Sequence, residues 1–146
     1  MQLKITTDYA IRTILYLAQT KRITTSGEIA DAMCIPREYL INIIRDMRES
    51  GLVRTFPGAK GGYLLAKQPE DISLYDVIIA MERTIKLNRC LEHDAFCSRD
   101  AAAYCMVHSI YEDLQEDMER LLKGHTIADI IRGARMQRVS DRQTGE

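Results

Sequence analysis

Apolar residues recur at helical spacing through the first fifty residues of the chain and predict three helices. The first helix is predicted over about residues 8–19. Its apolar stripe consists of Ala10, Ile14, Leu17 and Ala18. Thr25 and Glu28 have the spacing of a capping box, which predicts that a short second helix begins there. Pro36, a residue tolerated in the first turn of a helix, and Gly51, a C-terminal stop, bound a longer third helix.

Two short apolar runs and a glycine-rich turn follow the third helix. Residues 52–56 and 63–66 are predicted to be strands, and residues 57–62 (Pro-Gly-Ala-Lys-Gly-Gly) are predicted to be the turn between them. A short helix, a tight turn, a longer helix and then a hairpin is the order of a winged helix-turn-helix. We therefore predict a mainly α fold with a small β-hairpin, in which residues 1–67 form a winged-helix DNA-binding domain.

Beyond residue 67 the chain is predicted to be helical apart from one segment. Ser73 and Asp76 have capping-box spacing and predict a connecting helix within residues 68–87. Residues 88–104 show no clear periodicity, which predicts a loop, and this loop carries cysteines. Residues 133–146 are predicted to be a disordered tail.

The predicted C-terminal helices lie within residues 101–132. Thr126 and Asp129 have capping-box spacing for the short terminal helix, and a longer helix precedes it. One narrow stripe of the long helix is apolar at alternating intervals of three and four residues: Val107, Ile110, Leu114, Met118 and Leu121. Because such a stripe is the seam of two packed helices, we predict a long dimerisation helix and a homodimer.

The composition narrows the class of protein. The chain has 146 residues, of which 46% are hydrophobic and 28% are charged, as in a globular protein. We expect a cytoplasmic protein without a membrane partner, because no apolar run could cross a bilayer and no secretory signal is apparent.

The net charge of −1 is unevenly distributed between the two halves of the chain. Residues 1–67 have ten Lys and Arg against six Asp and Glu (+4), whereas residues 68–146 have ten against 15 (−5). A basic half is typical of a phosphate-binding module.

The exposed face of the third helix carries side chains suited to double-stranded DNA. A recognition helix places its N-terminal part in the major groove. The predicted base readers are Arg37, Glu38, Tyr39 and Asn42. Arginine pairs well with guanine, asparagine with adenine, and glutamate with cytosine. Arg45 and Arg54 are expected to contact phosphates. At the wing, Gly61 and Gly62 are expected to let the backbone approach DNA, while Lys60 adds charge.

Three of the four cysteines, Cys90, Cys97 and Cys105, fall in or beside the predicted loop. In a reducing compartment, clustered cysteines are more often metal-binding or redox-active than disulfide-bonded. Thiolates suit soft metals and iron–sulfur clusters, whereas structural zinc usually uses close Cys-x-x-Cys pairs, which this chain lacks. Cys34, in the turn before the third helix, is expected to be a small buried residue. His93 and His125 are expected to be exposed.

Four short motifs resemble the IscR/NsrR/CymR family of dimeric winged-helix repressors. They are residues 5–10 (Ile-Thr-Thr-Asp-Tyr-Ala), 39–40 (Tyr-Leu), 50–53 (Ser-Gly-Leu-Val) and 60–65 (Lys-Gly-Gly-Tyr-Leu-Leu). The resemblance covers residues 1–132 in the same order of elements. It implies a cytoplasmic homodimer that binds palindromic operators and whose two long dimerisation helices cross each other. For cysteine-bearing members it also implies an iron–sulfur cluster whose state controls operator binding.

The resemblance implies a set of cluster ligands. Cys90, Cys97 and Cys105 match the three family cysteines in order, with longer intervals between them. One candidate for the fourth ligand is His108, because the Cys-Met-Val-His of residues 105–108 resembles the Cys-x-x-His of IscR, a [2Fe-2S] protein. The other is Asp8, because its Thr-Asp-Tyr context resembles NsrR, where an aspartate of the partner subunit reaches a [4Fe-4S] cluster. Without a cluster, His108 would be a surface residue and Asp8 a helix N-cap.

We therefore predict a DNA-binding transcriptional regulator, by resemblance a repressor, whose operator binding depends on an iron–sulfur cluster that senses redox state, nitric oxide or iron–sulfur status. The alternative is a regulator of the same fold without a cluster, controlled by a protein partner, thiol oxidation or zinc. An enzyme is not expected. No nucleotide-binding glycine loop follows a strand, no Ser/His/Asp arrangement stands out, and residues 60–62 are not a P-loop.

Overall fold

A computed structural model describes residues 2–134, which form six helices and one two-stranded antiparallel hairpin. In chain order the elements are α1 (Ile5–Thr20), α2 (Ser26–Met33), α3 (Arg37–Glu49), β1 (Val53–Phe56), β2 (Gly62–Leu65), α4 (Leu74–Glu82), α5 (Met106–Gly124) and α6 (127–134). The predicted mainly α fold with a winged helix-turn-helix and a long C-terminal helix is confirmed. Of the predicted tail, residues 133 and 134 belong to α6, and residues 135–146 lie outside the described part.

One apolar core joins α1, α2, α3, the hairpin and α4. Its completely buried members include Ala10, Ile14, Ile29, Met47, Ile72, Val77 and Ile127. α6 is attached to this core by backbone hydrogen bonds as well as by Ile127. The Ile127 N–H donates to the Ile72 carbonyl at 2.8 Å, and the Leu74 N–H donates to the His125 carbonyl at 2.9 Å. No helix in the described part of the chain is both long and apolar enough to span a membrane.

Two of the three predicted capping boxes form in both directions. At the start of α4, the Asp76 N–H donates to Ser73 Oγ at 3.2 Å and the Ser73 N–H donates to Asp76 Oδ2 at 2.8 Å. Thr126 and Asp129 make the same pair of bonds at the start of α6, at 3.1 and 3.3 Å. Because these bonds join residues three apart, the local sequence is enough to fix both helix starts.

The capping box at α2 forms in one direction only. The Glu28 N–H donates to Thr25 Oγ1 at 3.3 Å, as predicted. The Glu28 carboxylate does not return to Thr25. It instead pairs with Arg22 and accepts a hydrogen bond from the Tyr16 hydroxyl at 3.1 Å. A nearby cation and a hydroxyl donor therefore displace the backbone donor that the motif would supply.

α1 begins at Ile5, three residues earlier than predicted. The reason is Glu82 at the end of α4, whose side chain accepts hydrogen bonds from the Lys4 N–H at 2.8 Å and from Thr7 Oγ1 at 2.5 Å. A carboxylate at a helix N-terminus is favourable because of the exposed N–H groups and the helix dipole. Asp8 lies inside the first turn of α1, so the expectation of an N-cap at Asp8 was wrong.

The hairpin is tied to the segment between α1 and α2. Its register runs from Val53 opposite Leu65 to Phe56 opposite Gly62. The Thr24 N–H donates to the Tyr63 carbonyl at 3.0 Å, and the Tyr63 N–H donates to the Thr24 carbonyl at 2.9 Å. The wing is therefore held on its inner side by a third piece of extended backbone.

The cysteine segment separates α4 from α5. The predicted loop of residues 88–104 contains two short 3-10 turns, at Arg89–Leu91 and Ala102–Tyr104. α5 begins at Met106 and not at about residue 101 as predicted. Cys105 has extended backbone angles (φ −87°, ψ 115°), which interrupt the path from the second turn into the helix.

Candidate DNA-reading surface and cysteine cleft

The turn between α2 and α3 is built on a left-handed residue. Cys34 ends α2 with φ 53°, and its N–H donates to the Ala30 carbonyl. Pro36 is the N-cap of α3, one position before the helix that it was predicted to open. Cys34 is exposed, so the expectation that it is buried was wrong. The left-handed conformation turns the chain sharply and directs this short side chain to the surface.

α3 presents a polar face above an apolar anchor. The buried side consists of Leu40, Ile43, Ile44 and Met47. The side chains predicted to contact DNA are all exposed on the other side: Arg37, Glu38, Tyr39, Asn42 and Arg45. On the wing, Arg54 and Lys60 are exposed as well. The structure thus leaves each of these seven side chains accessible, and their contact with DNA stays a prediction.

Two arginines of α3 are paired with acidic neighbours. Arg37 Nη2 lies 3.1 and 3.2 Å from the two carboxylate oxygens of Asp31, across the turn. Arg45 donates to Asp46 Oδ1 at 3.3 Å. Both side chains of the Arg37–Asp31 pair are 71% exposed, so the pair contributes little stability and can exchange for another anion. The sequence did not single out Asp31, because the pairing depends on how the turn folds.

The two wing glycines are required by the packing of the wing itself. Both are half-buried. A Cβ at Gly61 would lie 2.1 Å from the Phe56 carbonyl oxygen, and a Cβ at Gly62 would lie 2.5 Å from the Thr24 carbonyl oxygen. No other residue fits such close backbone approaches without a shift of the chain. The predicted approach of these glycines to DNA stays a prediction, but it is not needed to explain them.

The first turn of α1 contacts the helix-turn-helix through a group that we call the Tyr9 junction, made of Asp8, Tyr9, Arg12 and Tyr39. Arg12 pairs with Asp8 at 2.6 Å and lies over the Tyr9 ring, 5.5 Å from its centre. The Tyr9 and Tyr39 rings meet edge to face at 5.8 Å. Arg12 also donates to the Met33 carbonyl at 3.3 Å, at the end of α2. Asp8 is therefore connected to the recognition helix through two aromatic rings.

The three clustered cysteines line one cleft of about 330 Å³, called the cysteine cleft below. Cys90, Cys97 and Cys105 are each half-buried there. His108 of α5 lines the same cleft, together with aromatic and aliphatic side chains that include Phe96. The structure thus gathers four of the five predicted ligands around a single space. Asp8, the fifth, does not line it.

His108, which lines the cysteine cleft, has an unpaired ring nitrogen. Its side chain is only 17% exposed, and its Nε2 lies 3.3 Å from Glu112 Oε1. Its Nδ1 is buried and makes no hydrogen bond. Leaving a buried polar atom unpaired is costly, so this nitrogen is the kind of atom that a bound group would satisfy. The expectation that His108 would be a surface residue was wrong, whereas His93 and His125 are exposed as predicted.

Cys97 is the cysteine most favourable to a thiolate. Hydrogen bonds from the N–H groups of Ala101 and Arg99 lower the pKa of the Cys97 thiol, because they stabilise its charged form. In residues 2–134, no three Cys, His, Asp or Glu side chains lie close enough together to hold a single metal ion. The thiols surround the cleft without converging on one point, unlike the compact tetrahedral set of a structural zinc site.

α5 has an apolar outer face that nothing in the described chain covers. Its exposed members are Met106, Val107, Ile110, Leu114 and Leu121, each more than half exposed. Met118, predicted on the same stripe, is instead half-buried. Exposed apolar rows of this length mark interaction surfaces.

The inner face of α5 carries a polar group that fastens the cysteine segment, called the Gln115–Glu119 clamp below. Gln115 is 4% exposed and accepts a hydrogen bond from the Leu87 N–H at 2.9 Å. Its amide donates to Glu119 at 2.9 Å. Glu119 also accepts from Lys123 and Lys86, each at 2.9 Å, and these bonds lower the pKa of Glu119 to about 2. The start of the cysteine segment is thus held on α5. Sequence reasoning missed this group, since nothing in its spacing links residue 87 to residue 115.

Comparisons with known proteins identify the family of the chain. Residues 3–133 match the Rrf2 family, described as iron-dependent transcriptional regulators. The chain is 32% identical to the protein rrf2 of Nitratidesulfovibrio vulgaris over 136 residues. This alignment covers 92% of this chain and 89% of that protein. It is 29% identical over 134 residues to the transcriptional regulator NsrR of Shouchella clausii, covering 90% and 89%.

A solved structure shares the fold. The IscR of T. potens superposes with a TM-score of 0.71 at 26% identity and covers 92% of this chain and 88% of its own. The predicted resemblance to IscR and NsrR is confirmed, and so is the prediction of a non-enzyme, because the named relatives are regulators of transcription. The match over nearly the whole chain shows that this protein belongs to the Rrf2 family of transcriptional regulators.

Proposed function

We propose that this protein is a cytoplasmic, homodimeric repressor that binds a palindromic operator and whose binding is controlled by an iron–sulfur cluster in the cysteine cleft. The observation that carries the proposal is the cleft itself. Three cysteines and His108, whose buried Nδ1 has no hydrogen-bond partner, line one space, on a chain whose other half exposes a recognition helix and a wing.

The proposal of DNA binding is supported by the exposure and the positive charge of side chains on α3 and the wing. The predicted base readers are accessible at the N-terminal end of α3, which is the part of a recognition helix that enters the major groove. Arg45, Arg54 and Lys60 supply positive charge on α3 and the wing for phosphates. We assign Gly61 and Gly62 to the shape of the wing and leave contact with DNA to Lys60.

The proposal of a homodimer is supported by the apolar outer face of α5. Its apolar row lies at the three- and four-residue intervals of a helix pair, and a second copy of the same helix would cover it. A twofold dimer places two copies of α3 along the duplex, which matches an operator with two symmetric half-sites.

The donor chemistry of the cleft, three thiols and an imidazole, suits the proposed cofactor. Cys90, Cys97 and Cys105 would hold it through thiolates, and the hydrogen bonds that lower the pKa of the Cys97 thiol favour the charged form that ligation needs. We assign the fourth position to His108, because its buried Nδ1 has no other partner, whereas Asp8 is paired with Arg12. An iron–sulfur cluster supplies iron that reacts with oxidants and nitric oxide.

Control of DNA binding follows from how the chain connects the cleft to α5 and α3. The Gln115–Glu119 clamp fixes residue 87, three positions before Cys90, to the helix that meets the partner subunit. A change in how the thiols are held therefore bears on α5 and on the spacing of the two recognition helices.

The cofactor is tested by anaerobic purification with quantitation of iron and sulfide. Wild-type protein is expected to carry both and to absorb visible light. Cys97→Ala should lose this absorption, while Cys34→Ala should keep it, because Cys34 is exposed outside the cleft. Colourless wild-type protein without iron would contradict the proposal and favour control by thiol oxidation or a protein partner. Zinc in place of iron would also contradict it.

The fourth ligand is tested by the pair His108→Ala and Asp8→Ala. The histidine variant is expected to alter the visible spectrum, and the aspartate variant is expected to leave it unchanged. The reverse result would transfer the role to Asp8 of the partner subunit. Operator control is tested by measuring affinity for a selected duplex before and after cluster removal; equal affinities would refute control by the cluster.

A further inference from the structure

α3 carries one apolar side chain that has no place in the core. Ile41 is 70% exposed, although it lies in the middle of a helix whose buried side is already complete. An isoleucine left in water gains nothing for folding, since its side chain stabilises only when it is removed from water.

The surroundings of Ile41 differ from those of the other exposed apolar residues. On α5 such residues form a continuous row, whereas Ile41 stands among charges on α3. By helical spacing its neighbours along the surface are Arg37 (i−4), Glu38 (i−3) and Arg45 (i+4). The other exposed apolar side chain of α3, Tyr39, is engaged with Tyr9. A lone aliphatic group between two exposed arginines and a glutamate suits a polar, charged surface that presents an isolated apolar patch, as the edges of base pairs do in the major groove.

We propose that Ile41 is a specificity residue that contacts the 5-methyl group of a thymine in the major groove, an inference that rests on the proposed DNA-binding function. Thymine is the one base whose major-groove edge carries a methyl group. Ile41 is the fifth residue of α3, within the part of the helix that meets base edges. Its side chain cannot form hydrogen bonds. A cytosine, adenine or guanine in that position would offer this apolar side chain polar edge groups and no methyl group.

The test isolates the methyl group from every other feature of the base. Duplexes bound by the wild-type dimer are first selected from a randomised pool. Each thymine of the selected half-site is then replaced in turn by uracil, which removes only the 5-methyl group. Affinities are measured for wild type, Ile41→Ala and Ile41→Val. Thermal unfolding of each variant should match wild type, because the side chain is exposed.

Loss of one buried methyl contact corresponds to a decrease in affinity of about fourfold for each half-site. We expect this loss when wild type meets uracil at one particular position. Ile41→Ala should bind the thymine duplex more weakly by about the same factor and should be insensitive to uracil there, while Ile41→Val should keep its sensitivity. Equal uracil sensitivity of wild type and Ile41→Ala at every position would overturn the inference and leave the proposed function intact. Failure of wild type to select any duplex would overturn both.

Discussion

Replacing Glu119 with Gln removes the charge at the centre of the Gln115–Glu119 clamp while keeping the shape of the side chain. The pKa of Glu119 is lowered from 4.5 to about 2, first by its hydrogen bond from Lys123 and then by that from Lys86. This difference corresponds to about 3.4 kcal/mol if all of it stabilises the folded state. The side chain is 16% exposed, but Lys86 and Lys123 are 36% and 52% exposed and partly screened. We therefore expect a loss of about 1–2 kcal/mol at pH 7.

The dependence on pH follows from the direction of the shift. Because the folded pKa of Glu119 lies below the unfolded one, its contribution is complete above about pH 5 and disappears as the pH falls towards 2. About half of the contribution should be gone by pH 3. Glu119→Gln has already lost it at pH 7, so its free energy of unfolding should fall less steeply than that of wild type between pH 5 and pH 3.

The assay is urea unfolding of the reduced, cluster-free protein at pH 7, 5, 4 and 3, at one protein concentration because the protein is proposed to be a dimer. Asp117→Asn is the matched control. Asp117 lies on the same helix and pairs with Arg120, but the two side chains are 68% and 79% exposed. This control should change stability by less than about 0.5 kcal/mol. Equal effects of the two substitutions, or an unchanged pH slope in Glu119→Gln, would refute the reasoning.

Three further predictions concern the wing, the dimer and the clamp. Gly61→Ala should lower stability by about 2 kcal/mol or more, because its Cβ would overlap the backbone, whereas Gly124→Ala, which meets open space, should be neutral or slightly stabilising in thermal unfolding. Similar melting of the two variants would contradict this. Leu114→Asp should yield monomers in light scattering; a persistent dimer would place the interface elsewhere. Gln115→Leu should cost about 1–3 kcal/mol in urea unfolding by leaving the Leu87 N–H unpaired, and a neutral result would argue against the clamp.

Features decided within a few residues could be predicted from the sequence. The capping boxes at Ser73 and Thr126 fixed two helix starts correctly, and periodicity identified the buried stripe of α1. The glycines at 61 and 62 marked the wing, although their close contacts are with the chain's own backbone and not with a ligand.

Features decided by distant parts of the chain could not be predicted. Glu82 extends α1 by contacts across more than seventy residues, and Gln115 accepts a hydrogen bond from the Leu87 N–H, 28 residues earlier in the chain. The candidate site shows the same division. Its cysteines were evident as a cluster in the sequence, whereas the unpaired nitrogen of His108 and the exposure of Cys34 emerged only once the fold was known.

The pair of hydrogen bonds between Thr24 and Tyr63 has a consequence for the choice of operator. These bonds hold the wing against the segment that leads into the helix-turn-helix, so we expect the wing and the recognition helix to meet a duplex as one unit. When the groove width or curvature of a duplex does not match this arrangement, the DNA must deform to make both contacts. We therefore expect operators to be distinguished partly by how easily their untouched base-pair steps bend or narrow, a preference that no side chain of the protein reads directly.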